Sequence, residues 1–201
     1  TDCTGAANAA DEAFEYTYPV PATAATGFWT AQVTGFEGAD KSANQTFNGS
    51  FDLDVPSLLI MKTVSVTTDP VEGTTRSKAI PGATVQYTIL VQNNGRGPVD
   101  TGTFVISDPV PTNTVLSLPA KPPFTFTDGS TTSGLSVTSG SDASIAYSNN
   151  GGSTFVYVPS CTRPCTDATI TNFKITLTGS MNGKTAGTAP SFTITYDVVI
   201  Q

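Results

Sequence analysis

Residues 56–116 contain PSLLIMKTVSV (56–66), TTDPVEGTTRSKAIPGA (67–83), TVQYTILVQNNGRGP (84–98) and, after Val99 and Asp100, TGTFVISDPVPTNTVL (101–116). This stretch decides the fold. Successive side chains of a strand point to opposite faces, so a half-buried strand alternates apolar and polar residues. Val85, Tyr87, Ile89 and Val91 fall on one face, with Gln86, Thr88 and Leu90 on the other. Asn93-Asn94-Gly95 then supplies residues that adopt turn conformations at little cost, and the strand stops there.

The same wording resembles a known family, the bacterial and archaeal cell-surface "conserved repeat" domain, also called domain of unknown function eleven. The residues that carry the resemblance are Lys62-Thr63-Val64, Pro81-Gly82, Val85, Tyr87-Thr88-Ile89, Asn94-Gly95, Gly97-Pro98 and Asp108-Pro109-Val110-Pro111, in that order. It implies an immunoglobulin-like β-sandwich in a secreted surface protein. The family is usually seen as tandem repeats, whereas this chain holds one full copy.

Composition supports an all-β chain. With 201 residues and 38% hydrophobic content, the chain has enough material for one large sandwich and an appendage. It is rich in Ser, Thr, Gly and Pro, which suits short strands and many turns. The nearest approach to a helix is Ala6–Phe14, whose apolar side chains are nearly all Ala and would bury little area. The expected strands of the sandwich, residues 58–201, lie near 58–66, 84–92, 103–107, 135–138, 144–147, 154–158, 170–178 and 191–200. The last is the clearest: Phe192, Ile194, Tyr196, Val198 and Ile200 alternate with Thr193, Thr195, Asp197 and Val199.

Residues 1–57 read as an N-terminal β extension. Phe14, Tyr16, Tyr18 and Val20 share one face of AFEYTYPV, and GFWTAQVTGF and QTFNGSFDLDV supply two further short β segments. Three such strands cannot close a two-layer core alone. In tandem members of the family the segment before a Pro-Ser-Leu junction closes the preceding repeat, and TAQVTGFEG with NGSFDLDVPSL resembles such a closing part. The open edges of an incomplete sandwich must be covered by its own domain or by another subunit. The expectation is therefore donation of this extension to a neighbouring copy, with Phe14, Tyr16, Tyr18, Val20, Phe28 and Trp29 as subunit-interface candidates. Packing of the extension on its own domain is the alternative.

The chemistry available is narrow. There is no His, which removes the usual general base, zinc ligand and triad partner. Asp52 and Asp54 stand two apart on a strand, the spacing of a solvated face. Asp108 before Pro109 reads as a turn residue, and no calcium-binding loop spacing is present. No glycine pattern has the order of a phosphate-binding loop. No cofactor or metal is expected, and no enzymatic activity. A net charge of −7 with nine scattered basic residues argues against nucleic acid as a partner. No span is long and apolar enough for membrane insertion.

Cys3, Cys161 and Cys165 are an odd set, so at least one thiol is free or pairs between chains in an oxidising compartment. CTRPC spaces two of them so that a tight loop can bridge them, Cys161 to Cys165; two free surface thiols are the alternative. Asn44-Gln45-Thr46 and Asn48-Gly49-Ser50 are glycosylation sequons standing four apart in a polar loop. The N-terminus, Thr1-Asp2-Cys3, fits a secreted chain whose signal peptide has been removed, and a cytoplasmic chain would look the same at this end. The sequence thus points to a secreted or cell-surface structural subunit of a pilus-like fibre that partners with copies of itself. An adhesin or carbohydrate-binding module, with Trp29 beside Phe28 as a sugar-stacking platform and glycans as partners, is the second reading.

Overall fold

The computed structural model describes residues 27–37, 43–119, 121–185 and 187–201. The chain divides into two units, 1–51 and 52–201. In the first, β1 (Gly27–Glu37) and β2 (Ala43–Leu53) pair as a two-stranded sheet. Across it the Trp29 and Phe51 rings stack with centroids 6.3 Å apart.

The second unit is all-β, with no helix among the described residues. Its main sheet centres on the two strands that alternate most cleanly, β4 (Thr84–Asn93) and the C-terminal strand β13 (Ser191–Ile200), which pair antiparallel from Ser191↔Gln92 to Val199↔Thr84. Beyond β4 lies β3 (Leu58–Thr68). On the far side of β13 lie β6 (Thr114–Leu118) and β7 (Thr125–Asp128), and β10 (Cys165–Asp167) extends β6. A second sheet runs in the order β5 (Val105–Pro109), β11 (Asn172–Thr176), β9 (Ile145–Ser148), and β8 (Leu135–Ser136) pairs separately with β12 (Thr178–Gly179).

Residues directly opposite in a ladder share a face. Val91 faces Phe192, Ile89 faces Ile194 and Val85 faces Val198, and all six are buried. Phe173 and Ile175 from β11 and Ile106 from β5 meet them in one hydrophobic core. Phe173 packs edge-on against Tyr196 at 4.7 Å, and Phe104 against Phe192 at 5.5 Å. The unit is therefore a β-sandwich.

The turn after β4 is fixed by a buried amide. Asn93 Oδ1 accepts the backbone N–H of Ser57 and of Gly95, and its Nδ2 donates to the carbonyls of Gly97 and Asn182. Residues 54–57 run so close to this turn that a Cβ at Gly97 would lie 2.6 Å from the carbonyl oxygen of Asp54, and one at Gly95 would strike that of Val55. These contacts make residues 54–57 part of the sandwich, so the boundary falls between 51 and 52 where the sequence reading has it between 57 and 58.

Two readings need correction. The segment expected as a strand at 154–158 makes only an isolated bridge, Tyr157 to Tyr147, because the alternation of Phe155 and Tyr157 is not matched by a ladder partner. Asp108 is a buried strand residue on β5 rather than a turn residue: its side chain faces inward beside Ile106.

A candidate strand-acceptor groove

β3 is eleven residues long, and among the described residues it pairs with β4 alone. Among the described residues β5, on the same side of the sandwich, pairs with β11 alone. Their free edges flank a groove of about 380 Å³ lined by Leu58, Ile60 and Lys62 from β3, Ile89 and Val91 from β4, and Val99 to Asp108 in part from the other sheet, notably Phe104 and Ile106.

The register shows what the groove is. Leu58, Ile60, Lys62, Val64 and Val66 sit opposite Asn93, Val91, Ile89, Tyr87 and Val85, which makes them the inward face of β3. Yet Ile60 is 63% exposed and Val64 59%, while Val91, one strand over, is 0% exposed. The second sheet covers β4 and stops short of β3. The outward-facing Leu59 and Met61 are exposed as well. A long, apolar, uncovered edge is a template for pairing with another chain, and proteins normally shorten, cap or charge such edges. Two other edges of the sandwich follow that rule: β10 has three residues and carries a disulfide, and β9 is bridged by Tyr157.

One polar cluster crosses between the sheets at the end of this groove. Lys62 Nζ lies 2.8 Å and 2.6 Å from the two carboxylate oxygens of Asp108, and the Tyr196 hydroxyl donates to Asp108 Oδ2 at 2.7 Å. The Lys62 ammonium also sits 4.7 Å from the Tyr87 ring centroid, a cation–π contact. Burial, followed by the hydrogen bond and charge of Asp108, raises the Tyr196 pKa, so the phenol remains a donor. Lys62, Asp108 and Tyr196 thus bond one another across the two sheets as a clamp. Among the described residues no group of His, Cys, Asp and Glu is arranged to hold a metal ion.

The remaining predicted residues are dispersed. Cys161 and Cys165 are joined as a disulfide. Arg163, inside that loop, forms a two-pronged ion pair with Asp142 at 3.0 and 2.8 Å. Asn44 and Asn48 lie on strand β2 rather than in a loop, and the exposed Asn48 side chain accepts from Gln32 Nε2 at 3.2 Å. Trp29 is partly buried and stacks on Phe51, whereas Phe28 is 85% exposed. Phe14, Tyr16, Tyr18, Val20 and Cys3 lie outside the described residues. Asp54 pairs with Arg96 at 3.3 Å on the surface.

The groove itself was missed from sequence, although its signal is present. Leu58-Leu59-Ile60-Met61 is apolar on both faces, which is normal for a strand buried on both sides and anomalous for one at an edge.

Comparison with known proteins gives no match: no family model, no curated protein and no solved structure is similar to this chain.

Proposed function

We propose that this chain is a non-enzymatic structural subunit of an extracellular surface fibre or pilus-like filament, assembled head to tail by β-strand addition. The observation that carries this reading is the exposed inward face of β3, above all Ile60, beside the free edge of β5. Strand addition uses backbone hydrogen bonds for affinity and alternate side chains in pockets for specificity, and this groove offers both. Donor and acceptor surfaces differ, so the contact is heterologous and propagates into a filament unless it closes into a ring. The resemblance to the tandem cell-surface repeat domain, immunoglobulin-like in architecture, supports the same reading, as does a disulfide compatible with an oxidising exterior. The exposed sequon at Asn48 is a candidate for glycosylation in such a setting, with Asn44 beside it.

A second reading, an adhesin or carbohydrate-binding module, draws on Phe28, which stands almost fully exposed next to the Trp29–Phe51 stack. Aromatic faces presented to solvent are what sugar rings stack on.

Removal of residues 1–21 tests the first reading. The sandwich of residues 52–201 keeps all its strands, so the shortened chain should melt normally and yet fail to polymerise under electron microscopy. Filaments of normal stability from the shortened chain would refute assembly through the N-terminal segment, and a monomeric full chain that binds polysaccharide would favour the second reading.

A further inference from the structure

Resting on the fibre reading, we infer that the occupant of the β3–β5 groove is residues 14–20 of a second copy of this chain, in a register that sets a tyrosine against the Lys62–Asp108 pair. The inward face of β3 presents four consecutive positions along the uncovered edge: Leu58, Ile60, Lys62 and Val64. Phe14, Tyr16, Tyr18 and Val20 present four positions at the same two-residue spacing. Both sets span six residue steps, roughly 20 Å of extended chain.

Laid side by side, the two sets give the same answer in either direction. Antiparallel to β3, Phe14 falls opposite Val64 and Tyr16 opposite Lys62. Parallel to β3, Phe14 falls opposite Leu58 and Tyr18 opposite Lys62. In each case the ends of the donor are Phe and Val, set against aliphatic side chains, and a phenol meets the polar end of the groove. A buried tyrosine hydroxyl needs a hydrogen-bond partner. Asp108, inward-facing on β5 and already accepting from Lys62 and Tyr196, is the charged acceptor lining the groove.

Pro19 fits this placement. Residues whose side chains share one face of a strand also direct their N–H and C=O groups to the same edge, so Phe14, Tyr16, Tyr18 and Val20 can all pair with β3. Pro19 lacks its N–H on the opposite edge only, the position a strand tolerates when one side is unpaired. Pro21 then ends the segment ahead of β1, which begins at Gly27.

The test uses the full chain carrying a photo-crosslinking phenylalanine analogue at position 16 or at position 18, with ordinary and nitrogen-15-labelled preparations mixed before assembly. Expected are crosslinked peptides that join the two isotopes and connect these positions to residues 60–62 or 104–108. Ile60→Glu, which alters an exposed side chain and should leave the melting temperature unchanged, should cut both the crosslinks and the number of fibres at least tenfold. Fibres whose crosslinks join other surfaces, or join the segment to the groove of its own chain, would overturn this assignment while leaving the fibre reading intact. Unassembled chain with no crosslink between isotopes would overturn both.

Discussion

Lys62 on β3 and Asp108 on β5 tie the two sheets together at the end of the groove, with the ammonium within 2.8 Å of both carboxylate oxygens. The Asp108 side chain is only 11% exposed and that of Lys62 35%. Removing one partner of a buried pair strands a charge, at about 3–5 kcal/mol when both are fully buried. The partial exposure of Lys62 lowers the expectation for Lys62→Met to about 1–3 kcal/mol. A double-mutant cycle with Asp108→Asn, read by denaturant unfolding, should give a coupling of about 1–2 kcal/mol. Additive single effects would show that the pair does not clamp the sheets.

Asn93 should be the least replaceable polar residue of the sandwich. It is 0% exposed and makes four hydrogen bonds that hold residues 57, 95, 97 and 182 around one turn. Asn93→Ala takes this partner from the buried Gly97 carbonyl and from three part-buried backbone groups, and at about 1–3 kcal/mol for an orphaned buried group the total loss should be about 2–4 kcal/mol. In a unit of this size that lowers the melting temperature by about 5–12 °C. A change within ~2 °C in calorimetry would mean that water replaces the side chain.

Stability should fall at alkaline pH. Burial is the main cause that pushes the Tyr147 hydroxyl up to about 12 from its ordinary value near 10, with Arg163 opposing and Asp142 reinforcing the shift. A group whose pKa is raised on folding binds its proton more tightly in the native state, so its contribution is present below about pH 10 and lost as pH rises through about 12. The loss should be on the order of 2 kcal/mol. Melting temperatures measured from pH 8 to 12 should decline over the upper half of that range, and less steeply for Tyr147→Phe. Identical profiles for the two proteins would remove Tyr147 as the cause.

The parts of the fold that were legible from sequence are those where alternation is enforced on one side only. β4 and β13 lie at the centre of the main sheet, and their inward residues are apolar while their outward ones are mostly polar. β6, β7 and β10 were not foreseen, because they are three to five residues long and bounded by Pro or turn residues, too short to show a period. The spacing of Cys161 and Cys165 permits a bridge but leaves two free thiols open, because a short separation does not fix the geometry of the loop. The groove is a property of what two distant segments leave uncovered: Leu58-Leu59-Ile60-Met61 is apolar on both faces, but nothing local to it says that the strand lies at an edge.

Reducing the Cys161–Cys165 disulfide should leave the sandwich folded. The loop it closes is short, with a sequence separation of four, and the loop-entropy relation gives about 2 kcal/mol for it. The bond anchors the start of β10, where Cys165 pairs with Leu118 of β6, at the edge of the sheet farthest from the groove. Reduced and oxidised protein should therefore differ in melting temperature by about 4–8 °C and assemble alike. Loss of assembly on reduction would place the joint near this loop instead.

Electron microscopy of the unmodified full-length chain, over a range of protein concentrations, tests the central claim most directly. Unbranched fibres one subunit wide, with an added strand along the free edge of β3, are the predicted result. Monomers alone at every concentration would contradict it.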